Sequence, residues 1–154
     1  MEIYSEANPS DQIYENIMMK KLAIYSKTKK HIFVIIKPGF LPLCSKILQI
    51  FEKDGWNISM LRTKHLLLSE AQRLYAIHKD KDFYKSLCKY MSSGLTMAFI
   101  FEKDVPMDDK VFEEVGKIKD IIRKKWGESD MRNVIHSSDS LEHMDQEARI
   151  YFNI

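Results

Sequence analysis

The chain has 154 residues, of which 45% are hydrophobic and 30% are charged, and its formal net charge is +2. This length and composition are typical of one globular domain with a sizeable buried core. The small net charge gives no field that would favour a nucleic acid or a membrane surface as partner, and no apolar run is long enough to span a membrane. Cys44 and Cys88 lie in apolar helical patterns, which argues against a zinc site and favours the reducing cytoplasm.

Residues 1–30 differ in pattern from the rest of the chain, and we treat them as an N-terminal extension to a domain of residues 31–154. Apolar residues recur at helical spacing between Asp11 and Leu22, so one short amphipathic helix is predicted there. The extension has no arginine and no secretory apolar stretch, which argues against a transit or signal peptide. It is interpreted either as an appendage packed on the domain or on a neighbouring subunit, or as a docking segment for a partner.

The first strand is predicted over residues 32–36, an unbroken apolar run typical of a central strand covered on both faces. It ends abruptly at Lys37. An amphipathic helix beginning near Leu43 follows and stops before Gly55, which has the residue type preferred just after a helix. Apolar and polar residues then alternate from Trp56 to about Leu66, which predicts a half-buried edge strand.

Two short helices are predicted next, one opened by a capping box of Ser69 and Gln72 and one capped by Asp82. Residues 95–101 form a second fully apolar run, which predicts another central strand. A long helix with one apolar face then follows the aspartates at 108–109 and ends at a glycine.

A fourth, amphipathic strand is predicted at Met131–Ile135, and it delivers His136 to a polar turn that opens the last helix. Asp139 is expected to cap this helix with Glu142 reaching back, or Ser138 takes the cap. Two central and two edge strands with helical connections predict an α+β fold, a ferredoxin-like βαββαβ sandwich. Its four-stranded antiparallel sheet is covered by helices.

The turn after the fourth strand has the outline of a phosphate-accepting site. Free N–H groups in the first turn of a helix favour an anion, and here they would lie beside His136. Glu147 follows eleven residues later and could hold one ring nitrogen, which leaves the other free to attack phosphorus. Taken alone, a histidine near a strand end is more often a structural or surface residue.

Three motifs, in order, carry a resemblance to a known family. They are Ile35-Ile36-Lys37-Pro38-Gly39, then Tyr75 and Phe83 followed by the run from Leu87 to Gly94, and finally Asn133-Val134-Ile135-His136-Ser137-Ser138-Asp139-Ser140. Any one of them would be weak. Together they resemble the nucleoside diphosphate kinase family, over roughly four fifths of the chain from His31 to Phe152.

The resemblance implies that ATP or another nucleoside triphosphate phosphorylates a histidine, and that a nucleoside diphosphate then takes the phosphate. In this ping-pong scheme His136 would be the nucleophile, and Glu147 would hold its other ring nitrogen. Tyr75 and Ser138 would position or assist the imidazole. The remaining nucleotide contacts would be Lys37 for phosphate and ribose, Phe83 as a stacking platform for the base, Leu87 beside it, Asn133 for the sugar, and Arg123 and Lys117 for phosphate.

Elementary chemistry makes these implied roles reasonable. Phosphoryl transfer is largely charge placement, so cations and amides around the transferred oxygens are what it needs. Mg²⁺ would bridge the phosphates of the donor and reach Asp139 at most through water. A platform that stacks on a base without reading its edges suits an enzyme that accepts many bases.

The chain also departs from the family pattern. Gly39 stands where the family has aspartate, and Ser137 replaces the glycine after the histidine, where a Cβ would crowd the phosphate or demand another backbone angle. The proline-bearing loop that closes the site and packs subunits in the family is reduced to Gly127–Asp130. Lys117 replaces an arginine and loses bidentate reach. A divergent member is therefore expected, with lower activity or altered assembly, and at least a homodimer.

Two rival functions remain open. One is a catalytically silent binding or scaffold protein that keeps the fold, for which Ser137 and the short loop are the best support. The other is an RNA-recognition module, which shares the strand order and would place Phe99 and Phe101 on its third strand. Against the RNA module, both central strands are predicted to be covered on two faces, which leaves no open stacking surface.

Overall fold

A computed structural model describes residues 28–153, so the helix expected between Asp11 and Leu22 lies outside the described part of the chain. Within it the strands are β1 (Lys30–Ile36), β2 (Asn57–His65), β3 (Leu95–Lys103) and β4 (Ile135–Ser137). The helices are α1 (Cys44–Lys53), α2 (Leu68–Leu74), α3 (Tyr84–Met91), α4 (Lys110–Trp126) and α5 (Leu141–Tyr151), with single 3₁₀ turns at Leu41–Leu43 and Ala76–His78. Over residues 28–153, no helix has both the length and the apolar character needed to cross a membrane.

The four strands form one antiparallel sheet in the order β2-β3-β1-β4. Strands β1 and β3, which are apolar on both faces in the sequence, are the two central strands, and the amphipathic β2 and β4 are the edges. This order with helical connections is the ferredoxin-like βαββαβ arrangement, so the predicted fold class is confirmed. In the register of β1 with β4, Ile35 lies opposite His136.

The sheet has a hydrophobic layer on each face because the side chains of β1 alternate between two cores. Phe33 and Ile35 pack on one side with residues of α2, α3 and α5. Ile32, Val34 and Ile36 pack on the other side with residues of α1 and α4. A strand that is buried on both faces must be apolar throughout, which is why β1 reads as an unbroken run.

The aromatic residues of β3 belong to the core and are not available to a nucleic acid. Phe99 and Phe101 are both fully buried, and their ring centroids lie 5.2 Å apart. Phe101 also stacks on Phe51 of α1 at 4.5 Å. The sheet therefore presents no aromatic surface on which bases could stack, and the RNA-recognition alternative is wrong.

Three predicted helix caps are wrong. The first turn of α2 is capped by Glu70, whose Oε1 accepts the backbone N–H of Leu67 at 2.8 Å, and not by Ser69 and Gln72. Helix α3 begins after Phe83 without the side-chain cap expected from Asp82. In α5 the Oγ of Ser140 accepts the N–H of His143 at 3.1 Å, in place of Asp139 or Ser138.

Strand β4 begins four residues later than predicted because the backbone turns sharply at Val134. Its φ is +80°, the one positive value among the non-glycine residues between 28 and 153, and the N–H of Ile135 donates to the carbonyl of Asn133 at 3.0 Å. A γ-turn of this kind is rare and strained, more so at a β-branched residue. Pairing with β1 can start only after it, so His136 lies within the strand and α5 starts later than expected.

Candidate active site

A cavity of about 510 Å³ opens where β1 and β4 meet the loops before α3 and α5. Most of the residues that the sequence marks as candidates line it. Its lining consists of Lys37, Leu74, Tyr75, Ile77, His78, Phe83, Leu87, Lys119, Arg123, Asp130, Met131, Asn133, His136, Ser137, Asp139 and Glu147. Motifs that lie a hundred residues apart in the sequence therefore contribute to one pocket, and two predicted residues, Lys117 and Ser138, are absent from its walls.

The imidazole of His136 is held on one side by a buried carboxylate. Its Nε2 is hydrogen-bonded to Oε1 of Glu147, which α5 brings back over the edge strand. The Oγ of Ser138 donates to the same carboxylate oxygen at 3.1 Å. Because Nε2 donates its proton to the carboxylate, Nδ1 carries the ring's lone pair, and that nitrogen is the nucleophilic one. Ser138 thus acts on the ring through Glu147.

Tyr75 packs its ring against the edge of the imidazole of His136, with centroids 5.5 Å apart and planes at 80°. Burial raises the pKa of the Tyr75 hydroxyl well above its usual value, so the group stays a neutral donor. The hydroxyl has no hydrogen-bond partner among the residues that the structure describes. A buried donor without a partner is costly, and an oxygen of a ligand in the cavity could satisfy it.

Positive charge is concentrated in the same cavity. Within residues 28–153 the lysine and arginine side chains that line the cavity are Lys37, Lys119 and Arg123. The Nη2 of Arg123 donates to the carbonyl of Ile135 at 2.8 Å, which fixes the guanidinium beside β4. Three cations in a partly buried pocket repel one another, and an anion placed among them would relieve that repulsion.

Lys37 shows the effect of this crowding most clearly. Its side chain is 4% exposed, and its Nζ donates to Oδ1 of Asn133 at 2.6 Å and to the carbonyl of Met131 at 3.2 Å. Burial, followed by the charges of Arg123 and Lys119, lowers the pKa of Lys37 to about 7. Neither oxygen partner carries a full negative charge, so a phosphate would favour the protonated lysine more than the empty pocket does.

Phe83 stands at the mouth of the cavity with 48% of its surface exposed. The ring of His78 lies behind it, with centroids 5.4 Å apart, and buried Leu87 lines the same wall. A large aromatic ring left open at a pocket entrance is a stacking surface for a flat ligand. The rings of this surface come from the 3₁₀ turn that contains His78 and from Phe83, the residue before α3.

The prediction for Lys117 is wrong in position. Lys117 lies outside this cavity and lines a separate depression with Lys30, Asp54 and Ile121. Residues two apart on a helix point in nearly opposite directions, whereas Lys119 and Arg123 are four apart and share one face. The cation expected at position 117 is therefore Lys119, and helical periodicity counted back from Arg123 would have identified it. His78, Ile77 and Met131 were also missed, and no motif marks them.

The serine at position 137 does not distort the backbone. It lies in β4 opposite Val34, and its φ is not in the positive region. It is buried and lines the cavity, so its side chain occupies space beside the histidine. The alternative backbone angle considered for this position is thus not required.

Asp139 lines the cavity on the side of the α5 N-terminus. Its Oδ1 pairs with Nδ1 of His143 at 2.6 Å, and this hydrogen bond lowers the pKa of the Asp139 carboxyl. Over residues 28–153, no three of the residue types His, Cys, Asp and Glu are placed to hold a metal ion by themselves. The carboxylates that line the cavity within residues 28–153 are those of Asp130, Asp139 and Glu147.

The family model described as "Nucleoside diphosphate kinase" matches residues 30–154. The nucleoside diphosphate kinase of Kosmotoga olearia is 33% identical over 129 residues, which cover 79% of this chain and 87% of that protein. The enzyme of Helicobacter pylori strain G27 is 32% identical, covering 80% and 96% respectively. The crystal structure of the Aquifex aeolicus nucleoside diphosphate kinase aligns with a TM-score of 0.68 at 26% identity, over 80% of this chain and 95% of that chain. The Encephalitozoon cuniculi structure, at 22% identity and a TM-score of 0.70, shares the fold.

The lowered pKa of Lys37 predicts that nucleotide binding is coupled to the uptake of a proton from solution. At pH 8 the lysine of the empty site is mostly neutral, and bound phosphate returns its pKa to a higher value, so ADP binding should take up a proton, up to about one. At pH 6 the lysine is already charged, and uptake by this group should vanish. Calorimetry in buffers of different ionisation enthalpy measures this. Lys37→Arg is the control, since arginine stays charged and cannot take up the proton; equal uptake in both proteins would contradict the assignment.

The placement of Lys117 and Lys119 on α4 predicts that the two lysines contribute unequally to nucleotide affinity. Lys119→Ala should weaken ADP binding roughly tenfold or more, because a charge-assisted phosphate contact is lost from a partly buried wall. Lys117→Ala removes the same charge from the same helix and should change the affinity less than about twofold, since its side chain lies outside the cavity. Dissociation constants from calorimetry decide between them, and equal losses in both variants would contradict the geometry.

Proposed function

The chain belongs to the nucleoside diphosphate kinase family and transfers phosphate between nucleotides, and from this premise we propose that the phosphate passes through a covalent bond to His136. The observation that carries the proposal is the pairing of Nε2 with Glu147 in a residue that lines a cationic cavity. That pairing leaves Nδ1 as the nitrogen with an available lone pair.

In the first half of the reaction, the lone pair of Nδ1 attacks the terminal phosphorus of a nucleoside triphosphate. The bond from phosphorus to the bridging oxygen breaks, and its electrons leave with the nucleoside diphosphate. The ring becomes positively charged as the N–P bond forms, and Glu147 stabilises this charge through Nε2–H. In the second half, a terminal oxygen of an acceptor diphosphate attacks the same phosphorus, and the N–P bond breaks to return the neutral imidazole.

The cationic wall supports this transfer by charge placement. Lys37, Lys119 and Arg123 offer donors to the oxygens of the transferred group and to the leaving diphosphate. The unpartnered hydroxyl of Tyr75 adds a neutral donor near the imidazole. Asn133, which accepts a hydrogen bond from Lys37, is proposed to bond the sugar. Because these groups are fixed before the ligand arrives, they cost little reorganisation during the reaction.

The base is bound by stacking. Phe83 presents an exposed ring at the cavity mouth, with Leu87 beside it, and neither side chain carries a polar group that could read the edges of a base. A platform of this kind accepts purines and pyrimidines alike. We propose that ATP and other nucleoside triphosphates serve as donors and that several diphosphates serve as acceptors.

We propose that Mg²⁺ accompanies the nucleotide, and it would offset part of the charge of the phosphates as they enter the cavity. Of the carboxylates that line the cavity, Asp139 at the N-terminal side of α5 would hold the ion, through water. The carboxylate of Glu147 is engaged by the histidine and by Ser138, so it is not offered as a ligand.

We propose that the enzyme works in the cytoplasm as at least a homodimer. Its cysteines, Cys44 and Cys88, are unpaired, as is usual in a reducing compartment. The edge strand β2 leaves Ile58 and Leu61 exposed by more than two fifths of their surface, and an exposed edge strand with apolar side chains favours pairing with a second copy.

Labelling tests the proposal against the catalytically silent alternative. Incubated with Mg²⁺ and ATP labelled on the terminal phosphate, the wild-type protein should acquire an acid-labile, alkali-stable label that is lost on adding any nucleoside diphosphate. His136→Ala should acquire none, because of the two histidines that line the cavity within residues 28–153, His78 and His136, it is His136 whose ring is held by a carboxylate. His143→Ala, which removes the nearby histidine that pairs with Asp139, is the matched control and should still be labelled.

Two results would contradict the proposal. Absence of label on a folded wild-type protein that binds ATP would favour a binding or scaffold function. Label that persists in His136→Ala but disappears in His143→Ala would place the phosphate on His143 and not on His136.

A further inference from the structure

We propose that Arg132 is a positioning residue for nucleotide binding, which clamps the loop of residues 127–133 onto the turn that follows Lys37. The inference rests on the proposed function, because it assigns a cause to the placement of Asn133 in the nucleotide site. Arg132 does not line the cavity itself. It acts through the residue that follows it.

The clamp is a guanidinium that lies over two aromatic rings from different parts of the chain. The central carbon of the Arg132 guanidinium lies 5.3 Å from the centroid of Phe40, in the turn after β1, and 5.3 Å from that of Tyr90 on α3. The hydroxyl of Tyr90 also donates to the carbonyl of Pro38 at 2.5 Å. Arginine stacks on aromatic faces through its plane and its charge, so this contact ties three segments together.

The loop that Arg132 belongs to is closed on itself. The N–H groups of Glu128 and Ser129 donate to the carbonyl of Arg132 at 2.8 and 3.3 Å, and the Oγ of Ser129 accepts the N–H of Arg132 at 2.9 Å. The Nη2 of Arg132 also lies 3.4 Å from Oε2 of Glu128. A loop this short and this well satisfied moves as one unit, so fixing the Arg132 side chain fixes the whole loop.

Gly39 makes the clamp possible. A Cβ built on this residue would lie 2.9 Å from Nη2 of Arg132, closer than a carbon and a nitrogen can approach without a shift. Its φ is +90°, a value that favours glycine. The guanidinium of Arg132 thus occupies the space that a side chain at position 39 would take.

Arg132 would affect nucleotide binding through its neighbour Asn133. Its Oδ1 accepts from Lys37, and its Nδ2 donates to the carbonyl of Asp130 within the same loop at 2.8 Å. The second acceptor of Lys37, the carbonyl of Met131, is also part of the loop. If the clamp opens, Lys37 loses both partners, and the asparagine leaves the position from which it would meet the sugar.

Removing the clamp should therefore affect binding more than chemistry. Arg132→Ala should weaken ADP binding and raise KM for nucleoside diphosphates about tenfold, a larger factor than the fall in kcat at saturation, since His136 and Glu147 are untouched. The pH at which ADP binding takes up a proton should also rise, because water admitted by the loose loop restores the pKa of Lys37 towards its usual value. If Arg132 contributed only to the stability of the fold, neither the KM nor the pH of proton uptake would change.

Two further variants define the cause. Arg132→Lys keeps the charge and the fold but has no planar group to lie between the rings, so most of the loss in affinity should remain. Arg62→Ala is the matched control, because Arg62 also ties two segments together, through the carbonyl of Tyr151 at 2.9 Å, but stands outside the cavity. Its ADP affinity should equal that of the wild type.

A double-mutant cycle tests the contact with Gly39. Gly39→Ala should weaken ADP binding more when Arg132 is present than in the Arg132→Ala background, where only the backbone cost of the alanine remains. Additive losses, or an unchanged ADP affinity in both Arg132→Ala and Arg132→Lys, would overturn the inference. A wild-type protein that binds ADP but transfers no phosphate would overturn the proposed function instead, and the affinity comparison would still decide the role of Arg132.

Discussion

The hydrogen bond between Nε2 of His136 and the carboxylate of Glu147 is the constraint on which the site depends. It fixes the tautomer of the ring, so that the lone pair falls on the other nitrogen, and it provides the negative charge that a phosphorylated imidazole requires. A buried carboxylate is costly without partners, and here it has two, because Ser138 donates to the same oxygen. The fold brings His136 and Glu147 together because β4 pairs with the central strand β1 and α5 returns across the sheet.

The cavity also contains an excess of positive charge, from Lys37, Lys119 and Arg123. Lys37 is buried with neutral oxygens as partners, and its pKa falls to about 7 because of that burial and because Arg123 and Lys119 lie close by. In the proposed function, phosphates in this pocket relieve the repulsion, which contributes part of the affinity for a nucleotide. The same proposal links nucleotide binding to proton uptake at Lys37.

Much of the fold could be predicted because its determinants are periodic. Strand β1 is an unbroken apolar run because it is buried on both faces. The long helix α4 has one apolar face because it is buried on one face only. The position of β4 could not, because the turn at Val134 has a positive φ that a β-branched residue rarely adopts and that no local sequence rule anticipates. The caps of α2 and α5 were misplaced for the related reason that several serines and acidic residues compete at each helix start.

In the site, most of the predicted residues line the cavity, whereas Ser138 contacts it only through Glu147 and Lys117 lies outside it, since matching by resemblance ignored the phase of the helix. The identity of the ring nitrogen that carries the phosphate tests the proposed chemistry most directly. NMR of the phosphorylated, ¹⁵N-histidine-labelled protein, in which the phosphorus couples to one nitrogen of His136, should show phosphate on Nδ1 and a proton retained on Nε2. Phosphate on Nε2 would mean that the nitrogen held by Glu147 is the nucleophile, and it would contradict the central claim.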